Sequence, residues 1–288
     1  MSRESEPLTT LASAEQLNDR IERGLAPVVL DAGFDLADPA AGERSHAEAH
    51  LPGARYVHLD RDLSGAKTGR NGRHPLPDRG AFAVRVGSLG IKPGTQVVVY
   101  DGQGGIFASR VWWLLRWLGH EAVAVLDGGL AAWQAAGGEV TSQPTPPPVD
   151  AGPYPCGHSL APVIDAESLA RQLGQRPLVD ARAPERFRGE VEPLDAQAGH
   201  IPGALNRFYK ENLDASGRFK PADRLREEFA QLVGETAAGE VVHQCGSGVT
   251  ACHNLLAMEH AGLRGSVLYP GSWSEWSADT ARPVARGC

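Results

Sequence analysis

The chain has 288 residues, 42% of them hydrophobic and 22% charged, and a formal net charge of −7 at pH 7. The length suggests two domains of ordinary size, and the composition is typical of a globular protein with sizeable hydrophobic cores. Because the chain is acidic and has no lysine-rich block, nucleic acid and anionic membranes are not expected as partners. It has no apolar run of about 18 residues that would span a membrane, and its first residues do not resemble a secretory signal. Four cysteines without a close-spaced framework indicate a reducing compartment, so a cytoplasmic protein is expected.

Short apolar runs recur in the same order in the two halves of the chain. The first half contains VVLDAGF (28–34), HLPGARYVHLD (50–60), QVVVYDGQGG (96–105) and VAVLDGGLAAW (123–133). The second half contains PLVDARA (177–183), HIPGALNRFY (200–209), EVVHQCGSG (240–248) and SVLYPGSWSEW (266–276). The matching order and the similar spacings predict a duplicated domain.

A proline-rich stretch separates the two halves. Residues 141–155 contain six prolines and few apolar side chains, a composition that favours an extended linker over a packed element. The sequence therefore predicts an N-terminal domain over residues 1–142, a linker over 143–158 and a C-terminal domain over 159–288.

The apolar runs predict the fold of each half. They are Val-rich and do not alternate with polar residues, as in strands buried on both faces of a parallel sheet. Helical segments follow them, such as 109–119 after Asp101 and 250–262 after Cys245. Strands that alternate with helices predict an α/β fold, with a parallel sheet flanked by helices in each domain. Ligands of such folds bind at the carboxyl ends of strands, where Asp101 and Cys245 fall.

The loop CGSGVT (245–250) is the strongest chemical signal in the sequence. Glycines at 246 and 248 allow several backbone N–H groups to converge on one point, and a helix predicted from near Val249 presents its positive end there. The hydroxyls of Ser247 and Thr250 add further donors. This setting would stabilise a thiolate, so Cys245 is predicted to be a nucleophile rather than an inert buried thiol.

The loop CGSGVT, the segments HIPGA (200–204) and GSWSEW (271–276), and the run from DAR to RF (180–187) closely resemble those of tandem-domain rhodanese-type sulfurtransferases. The resemblance extends over nearly the whole chain and implies two rhodanese-like domains. It implies that the C-terminal domain carries the catalytic Cys245, while Asp101 stands where the N-terminal domain has lost its cysteine. It also implies that Cys245 takes a sulfane sulfur from a donor, holds it as a persulfide and passes it to a thiol or cyanide.

The loop residues also bear on the donor that the resemblance implies. CGSGVT is typical of 3-mercaptopyruvate sulfurtransferases, whereas thiosulfate-preferring members carry basic residues where this chain has Gly246 and Ser247. The resemblance thus favours 3-mercaptopyruvate over thiosulfate. A cysteine phosphatase, the alternative with similar loop geometry, needs an arginine six residues after its cysteine, and Ala251 stands there.

The resemblance assigns a donor-binding role to Arg186, with Arg188 as a weaker candidate and the loop residues 246 and 248–250 as the remaining substrate contacts (Gly246, Gly248, Val249 and Thr250). Members that use 3-mercaptopyruvate have a second arginine nine residues after the first, where this chain has Asp195. A negative charge beside an anionic donor predicts a high KM, which Asp195→Arg is expected to lower.

The resemblance further implies a Ser–His–Asp arrangement. Ser247 is the serine, His74 in GRHPLP (72–77) is the histidine contributed by the N-terminal half, and Asp62 is the favoured aspartate, with Asp60 as the alternative. Cys252, on the predicted helix, is interpreted as a core residue rather than a resolving thiol.

The expected partners are a small-molecule sulfur donor and a thiol acceptor, either a thioredoxin-like protein or a low-molecular-weight thiol. A monomer is expected, and no metal-ligand set or nucleotide fingerprint points to a cofactor. The alternative function is a catalytically silent rhodanese-type module that binds a partner or senses redox state. Retention of the cysteine in one half favours the enzyme.

Overall fold

The computed structural model describes residues 6–149 and 152–287, which form two compact units. One unit is drawn from Met1–Asp62 and Asp78–Leu160, and the other from Leu63–Pro77 and Ala161–Cys288. The short segment 63–77 therefore packs with the C-terminal half, although it lies in the N-terminal half of the sequence. Cys288 lies outside the described residues.

The first unit is built on a five-stranded parallel sheet with the strand order β1-β5-β4-β2-β3. The Val-rich strands β4 and β5 are buried along their whole length, because helices cover both faces of a parallel sheet. The strands are β1 (Leu11–Ala12), β2 (Val28–Asp31), β3 (Arg55–Tyr56), β4 (Val97–Tyr100) and β5 (Val123–Leu126).

Within residues 6–149, six helices accompany this sheet. The longest ones follow the predicted order of one helix after each strand, and α5 is buried along most of its length because of its run of Trp and Leu. The helices are α1 (Ala14–Glu22), α2 (Ala41–Glu48), α3 (Leu59–Asp62), α4 (Arg79–Ser88), α5 (Ala108–Trp117) and α6 (Gly129–Ala135).

The second unit repeats the plan with a four-stranded parallel sheet in the order β7-β6-β8-β9. A single parallel bridge between Val163 and Leu268 continues the sheet beyond β9. The strands are β6 (Leu178–Asp180), β7 (Ala204–Asn206), β8 (Val242–Gln244) and β9 (Val267–Leu268). The helices are α7 (Ala166–Arg171), α8 (Pro184–Phe187), α9 (Ala222–Val233), α10 (Ala251–His260) and α11 (Ser272–Trp276), with 3₁₀ turns at Tyr209–Asn212 and Ala238–Glu240.

The predicted α/β fold, with a parallel sheet and flanking helices in each half, is confirmed. Trp273 and Trp276 of α11 are fully buried and belong to the core of the second unit. No helix within residues 6–149 and 152–287 is long and apolar enough to cross a membrane.

Candidate active site

Cys245 immediately follows β8, and its side chain is buried with 1% exposure. The backbone around it is fixed by α11, because Cys245 N donates to Ser272 Oγ at 3.1 Å and Trp273 N donates to the Cys245 carbonyl at 2.9 Å. The thiol is therefore held at the carboxyl end of a central strand, the position predicted from the sequence.

Gly248 shapes the loop that follows. Its φ of +78° lies in the left-handed region, and a Cβ at this position would lie 2.3 Å from the carbonyl oxygen of Pro270. Only glycine fits this position. The resulting turn directs Gly248 N to the Cys245 sulfur, at 3.1 Å. Helix α10 begins at Ala251, slightly later than predicted, and its N-terminus lies beyond the same loop.

Arg182 is buried and close enough to Cys245 for the two charges to interact. Burial lowers its pKa, but the negative charges of Asp180, Glu192 and Cys245 outweigh that effect and hold the pKa above its ordinary value. Arg182 also packs over the Trp273 ring at 4.8 Å. Arg182 thus adds a buried positive charge to the surroundings of Cys245.

Ser247 and His74 lie in contact with each other. Ser247 Oγ lies 2.8 Å from His74 Nδ1, and both side chains are buried. The segment 63–77 holds His74 in place through hydrogen bonds from Arg73 N to Ser274 Oγ, at 3.0 Å, and from Gly65 N to the Pro75 carbonyl, at 2.9 Å.

Asp62 lies in the first unit, at the end of α3. Its carboxylate accepts a hydrogen bond from His58 N at 2.8 Å and forms an ion pair with Arg85 Nε at 2.9 Å. Asp60 lies in the same short helix, where its N–H donates to His58 Nδ1 at 3.1 Å. These contacts explain how Asp62 is held, and its support of His74 stays a prediction.

Arg186 lies at the end of α8, beside the cysteine loop. Its Nη2 donates to Glu192 Oε1 at 2.7 Å and to Asp195 Oδ2 at 3.2 Å. A Cβ at position 246 would lie 3.5 Å from Arg186 Nη1, so this guanidinium extends over the Gly246 backbone. Arg188 instead pairs with Glu190 at 2.7 Å, where both side chains are exposed by about a third or more.

Asp195 is the residue whose setting differs most from expectation. The sequence suggested an unneutralised negative charge, but the side chain is only 3% exposed and pairs with both Arg73 and Arg186. Burial raises the pKa of Asp195, and the charge and hydrogen bonds of Arg73 oppose that rise.

Arg73 and Glu192 complete a chain of alternating charges that sequence reasoning missed. Glu192 joins Arg182 to Arg186, just as Asp195 joins Arg186 to Arg73. The available signal was the position of Arg73 directly before His74, in the motif already assigned to the site.

The first unit has an equivalent loop after β4, and Asp101 stands in it. The buried Asp101 carboxylate accepts four backbone hydrogen bonds at 2.8–3.0 Å. The donors are the N–H groups of Gln103, Gly105, Phe107 and Ala108. Converging amides of this kind form an anion-binding nest, which here is filled by the chain's own carboxylate.

Cys252 is fully buried on α10, where its thiol donates to the Gly248 carbonyl at 3.3 Å. This contact fits its interpretation as a core residue. Cys156 is exposed.

Comparison with known proteins places this geometry in a family. The model of the rhodanese-like domain matches residues 13–136 and again residues 165–279. The "Probable 3-mercaptopyruvate sulfurtransferase" of Pseudomonas aeruginosa is 47% identical over 286 residues, covering 96% of this chain and 98% of that protein. The thiosulfate sulfurtransferase of Bos taurus is 36% identical, and the match covers 86% of this chain and 84% of the bovine protein.

A solved structure agrees with these sequence matches. The crystal structure of SseA from Escherichia coli, a 3-mercaptopyruvate sulfotransferase, superposes with a TM-score of 0.76 at 30% identity. The match covers 93% of this chain and all of that one. With two matched domains, and relatives and a solved structure aligned along nearly its full length, the chain belongs to the tandem-domain rhodanese-type sulfurtransferases.

Proposed function

We propose that Cys245 is the nucleophile of this sulfurtransferase and carries the transferred sulfur as a persulfide. The observation that carries this proposal is the hydrogen bond from Gly248 N to the Cys245 sulfur, at 3.1 Å, beside the N-terminus of α10. A backbone donor and a helix N-terminus favour a thiolate, and they would equally stabilise the anionic outer sulfur of a persulfide.

We propose 3-mercaptopyruvate as the preferred donor. The Cys245 thiolate attacks the donor sulfur, an S–S bond forms and the donor C–S bond breaks. The electron pair of that bond remains on the departing carbon as the enolate of pyruvate, which takes up the proton released by the donor thiol. The products are pyruvate and the Cys245 persulfide, so atoms and electrons balance.

The buried pair of Ser247 and His74 supports this choice. An enolate places negative charge on the former carbonyl oxygen, and the Ser247 hydroxyl, oriented by His74 at 2.8 Å, would donate to that oxygen. In this proposal Asp62 supports His74. Arg186, with Arg188 as the weaker candidate, and the loop residues 246 and 248–250 bind the donor.

In the second half-reaction the outer sulfur passes to a thiol, of a small molecule or a thioredoxin-like protein, or to cyanide. The proposal places the protein in the cytoplasm as a monomer. It also keeps an N-terminal domain over residues 1–142, a linker over 143–158 and a C-terminal domain over 159–288.

Thiosulfate is the second candidate donor, since the bovine relative is a thiosulfate sulfurtransferase. Gly246 and Ser247 stand where thiosulfate-preferring members carry basic side chains, which favours the keto acid. A silent binding module has no need of a buried thiol with a backbone donor on its sulfur.

Mass spectrometry provides the test. After treatment with 3-mercaptopyruvate in the absence of reductant, the peptide containing Cys245 should gain the mass of one sulfur atom, with stoichiometric pyruvate. Parallel steady-state assays with thiosulfate should give a lower kcat/KM. An unmodified Cys245 peptide would overturn the assignment, and a thiosulfate preference would overturn the choice of donor.

A further inference from the structure

Two guanidinium groups extend over Gly246, the residue next to the reactive cysteine. A Cβ at position 246 would lie 2.8 Å from Arg73 Nη2 and 3.5 Å from Arg186 Nη1. Each arginine uses its other terminal nitrogen to bind Asp195, Arg73 through Nη1 and Arg186 through Nη2. Arg186 Nη2 lies slightly farther from that Cβ position, at 3.7 Å, so the nearest nitrogen of each arginine is the one that the Asp195 carboxylate leaves unused.

Asp195 explains how two cations can lie side by side. Its Oδ1 binds Arg73 and its Oδ2 binds Arg186, so one buried carboxylate bridges the pair. Without it, two like charges would repel each other at short range. Arg73 and Arg186 nevertheless remain 27% and 18% exposed, so a small anion can reach them from solvent.

No hydrogen bond joins Arg73 Nη2 or Arg186 Nη1 to another residue of 6–149 or 152–287. Two terminal nitrogens from separate planar groups, both within 3.5 Å of one point, suit the two oxygens of a carboxylate. This spot lies above Gly246, beside the thiol that attacks the donor.

We propose that Arg73 is the second guanidinium of the donor-carboxylate site and that Asp195 is a positioning residue that holds both arginines. The inference rests on the proposed function, since the carboxylate is that of a 3-mercapto-2-oxo acid. Position 195 thus lacks the arginine expected there, and the cation comes instead from the segment 63–77.

This assignment reverses the expectation for Asp195→Arg. The substitution would remove the bridging acid and place a third guanidinium against Arg73 and Arg186. We therefore expect a higher KM and lower stability, and a fall in KM would contradict the assignment.

The main test is Arg73→Met, which keeps the apolar stem of the side chain and removes the donors. Loss of one charge-assisted hydrogen bond should raise KM for 3-mercaptopyruvate about tenfold, with kcat nearly unchanged. Pyruvate carries the same carboxylate, so its Ki as a product inhibitor should rise by a similar factor. Arg224→Met removes an exposed arginine paired with Glu228 on α9 and is the matched control, with KM unchanged.

Two further variants separate donor binding from structural support. Arg73→Lys retains the charge but has one terminal nitrogen instead of two, so it cannot bind Asp195 and the donor through separate nitrogens; it should fold and show an intermediate KM. Arg73→Met combined with Asp195→Asn removes both members of the ion pair. If Arg73 only neutralised Asp195, the double variant would recover the native KM, and that recovery would overturn the proposal.

Sulfur loading of Cys245 distinguishes failure of the Arg73 assignment from failure of the proposed function. If the native protein gains no sulfur from 3-mercaptopyruvate, the proposed function is wrong, and the Arg73 proposal falls with it. If the native protein is loaded and Arg73→Met has an unchanged KM, only the Arg73 assignment is wrong. Inorganic polysulfide, which has no carboxylate, should load native protein and Arg73→Met equally.

Discussion

Ser247 Oγ lies 2.8 Å from Nδ1 of His74, although 173 residues separate the two in sequence. The contact exists because the segment 63–77 belongs to the same compact unit as residues 161–288. A buried hydroxyl bound to a buried imidazole has a fixed orientation, which is what a donor to a developing enolate needs.

His74→Ala should lower kcat/KM for 3-mercaptopyruvate by about a hundredfold or more, because Ser247 loses the partner that orients its hydroxyl. Sulfur loading from inorganic polysulfide should persist, since that donor forms no enolate. Steady-state kinetics and mass spectrometry provide the two readouts. His158→Ala, at an exposed position, is the control. Unchanged kinetics for His74→Ala would remove His74 from the mechanism.

Cys245→Ser should abolish both persulfide formation and turnover, because an alkoxide is not available at neutral pH and Ser cannot hold a sulfane sulfur. Cys156→Ser, which alters the exposed cysteine, should leave both readouts at the native level. Peptide mapping after donor treatment makes the comparison. Sulfur retained elsewhere in an active Cys245→Ser protein would contradict the assignment.

Gly248→Ala should lower the free energy of unfolding by at least about 2 kcal/mol, because the left-handed φ alone costs about 1–2 kcal/mol in a non-glycine residue. The added clash with the Pro270 carbonyl, at 2.3 Å, should also displace the Gly248 N–H from the cysteine sulfur. Gly217→Ala is a matched control, since Gly217 has a φ of +80° and no atom within 4 Å of its Cβ position. Denaturation curves and activity assays should show a larger loss of stability and activity in Gly248→Ala than in Gly217→Ala. Equal losses would show that the cysteine loop adapts to the added methyl group.

Asp101→Ala should destabilise the first unit by about 3 kcal/mol or more, because buried backbone N–H groups lose their acceptor. Asp35→Ala is the control, since the exposed Asp35 also accepts backbone hydrogen bonds, from Ala37 and Asp38. Solvent can replace that acceptor, so the loss should stay below about 1 kcal/mol. Thermal denaturation compares the two, and similar losses would refute a filled anion nest in the first unit.

His243 should make stability depend on pH. Burial lowers the pKa of His243 on β8 to about 3, well below the value of about 6.5 in an unfolded chain. Between these values the unfolded state binds the extra proton, so the free energy of unfolding falls as the pH falls below about 6.5.

The variant His243→Leu tests this dependence. Between pH 7 and pH 5 its free energy of unfolding should fall by about 2 kcal/mol less than that of the native protein. The reason is that each pH unit below about 6.5 lowers the native protein's free energy of unfolding by up to about 1.4 kcal/mol. Urea denaturation at the two pH values gives the difference, and the exposed His158→Leu should behave like the native protein. An equal loss in His243→Leu and native protein would show that another group carries the dependence.

The duplicated plan was predictable from local pattern. Val-rich runs without alternation favour strands buried on both faces of a parallel sheet, and β4 and β5 are such strands. The histidines that open the segments HLPGA (50–54) and HIPGA (200–204) both bond to nearby backbone. His50 Nδ1 lies 2.6 Å from the His46 carbonyl, and His200 Nδ1 lies 2.8 Å from the Phe187 carbonyl.

The cysteine loop was also readable in sequence, because its geometry is local. Gly248 lies three residues from Cys245, and the need for a left-handed residue at a tight turn is a property of the backbone alone. The sequence by itself thus determined which half carries the thiol and that Asp101 stands at the matching position of the other half, whereas the four hydrogen bonds to Asp101 appeared only in the structure.

Tertiary structure alone decided where charges meet. The sequence shows Asp195 where an arginine was expected, but it does not show that Arg73, 122 residues away, pairs with it. Ion pairs between distant segments have no periodicity and no local signature, since their geometry depends on how the segment 63–77 packs within the second unit. The position of Cys245 and its loop could therefore be located from sequence, whereas the second guanidinium above Gly246 appeared only once the chain was folded.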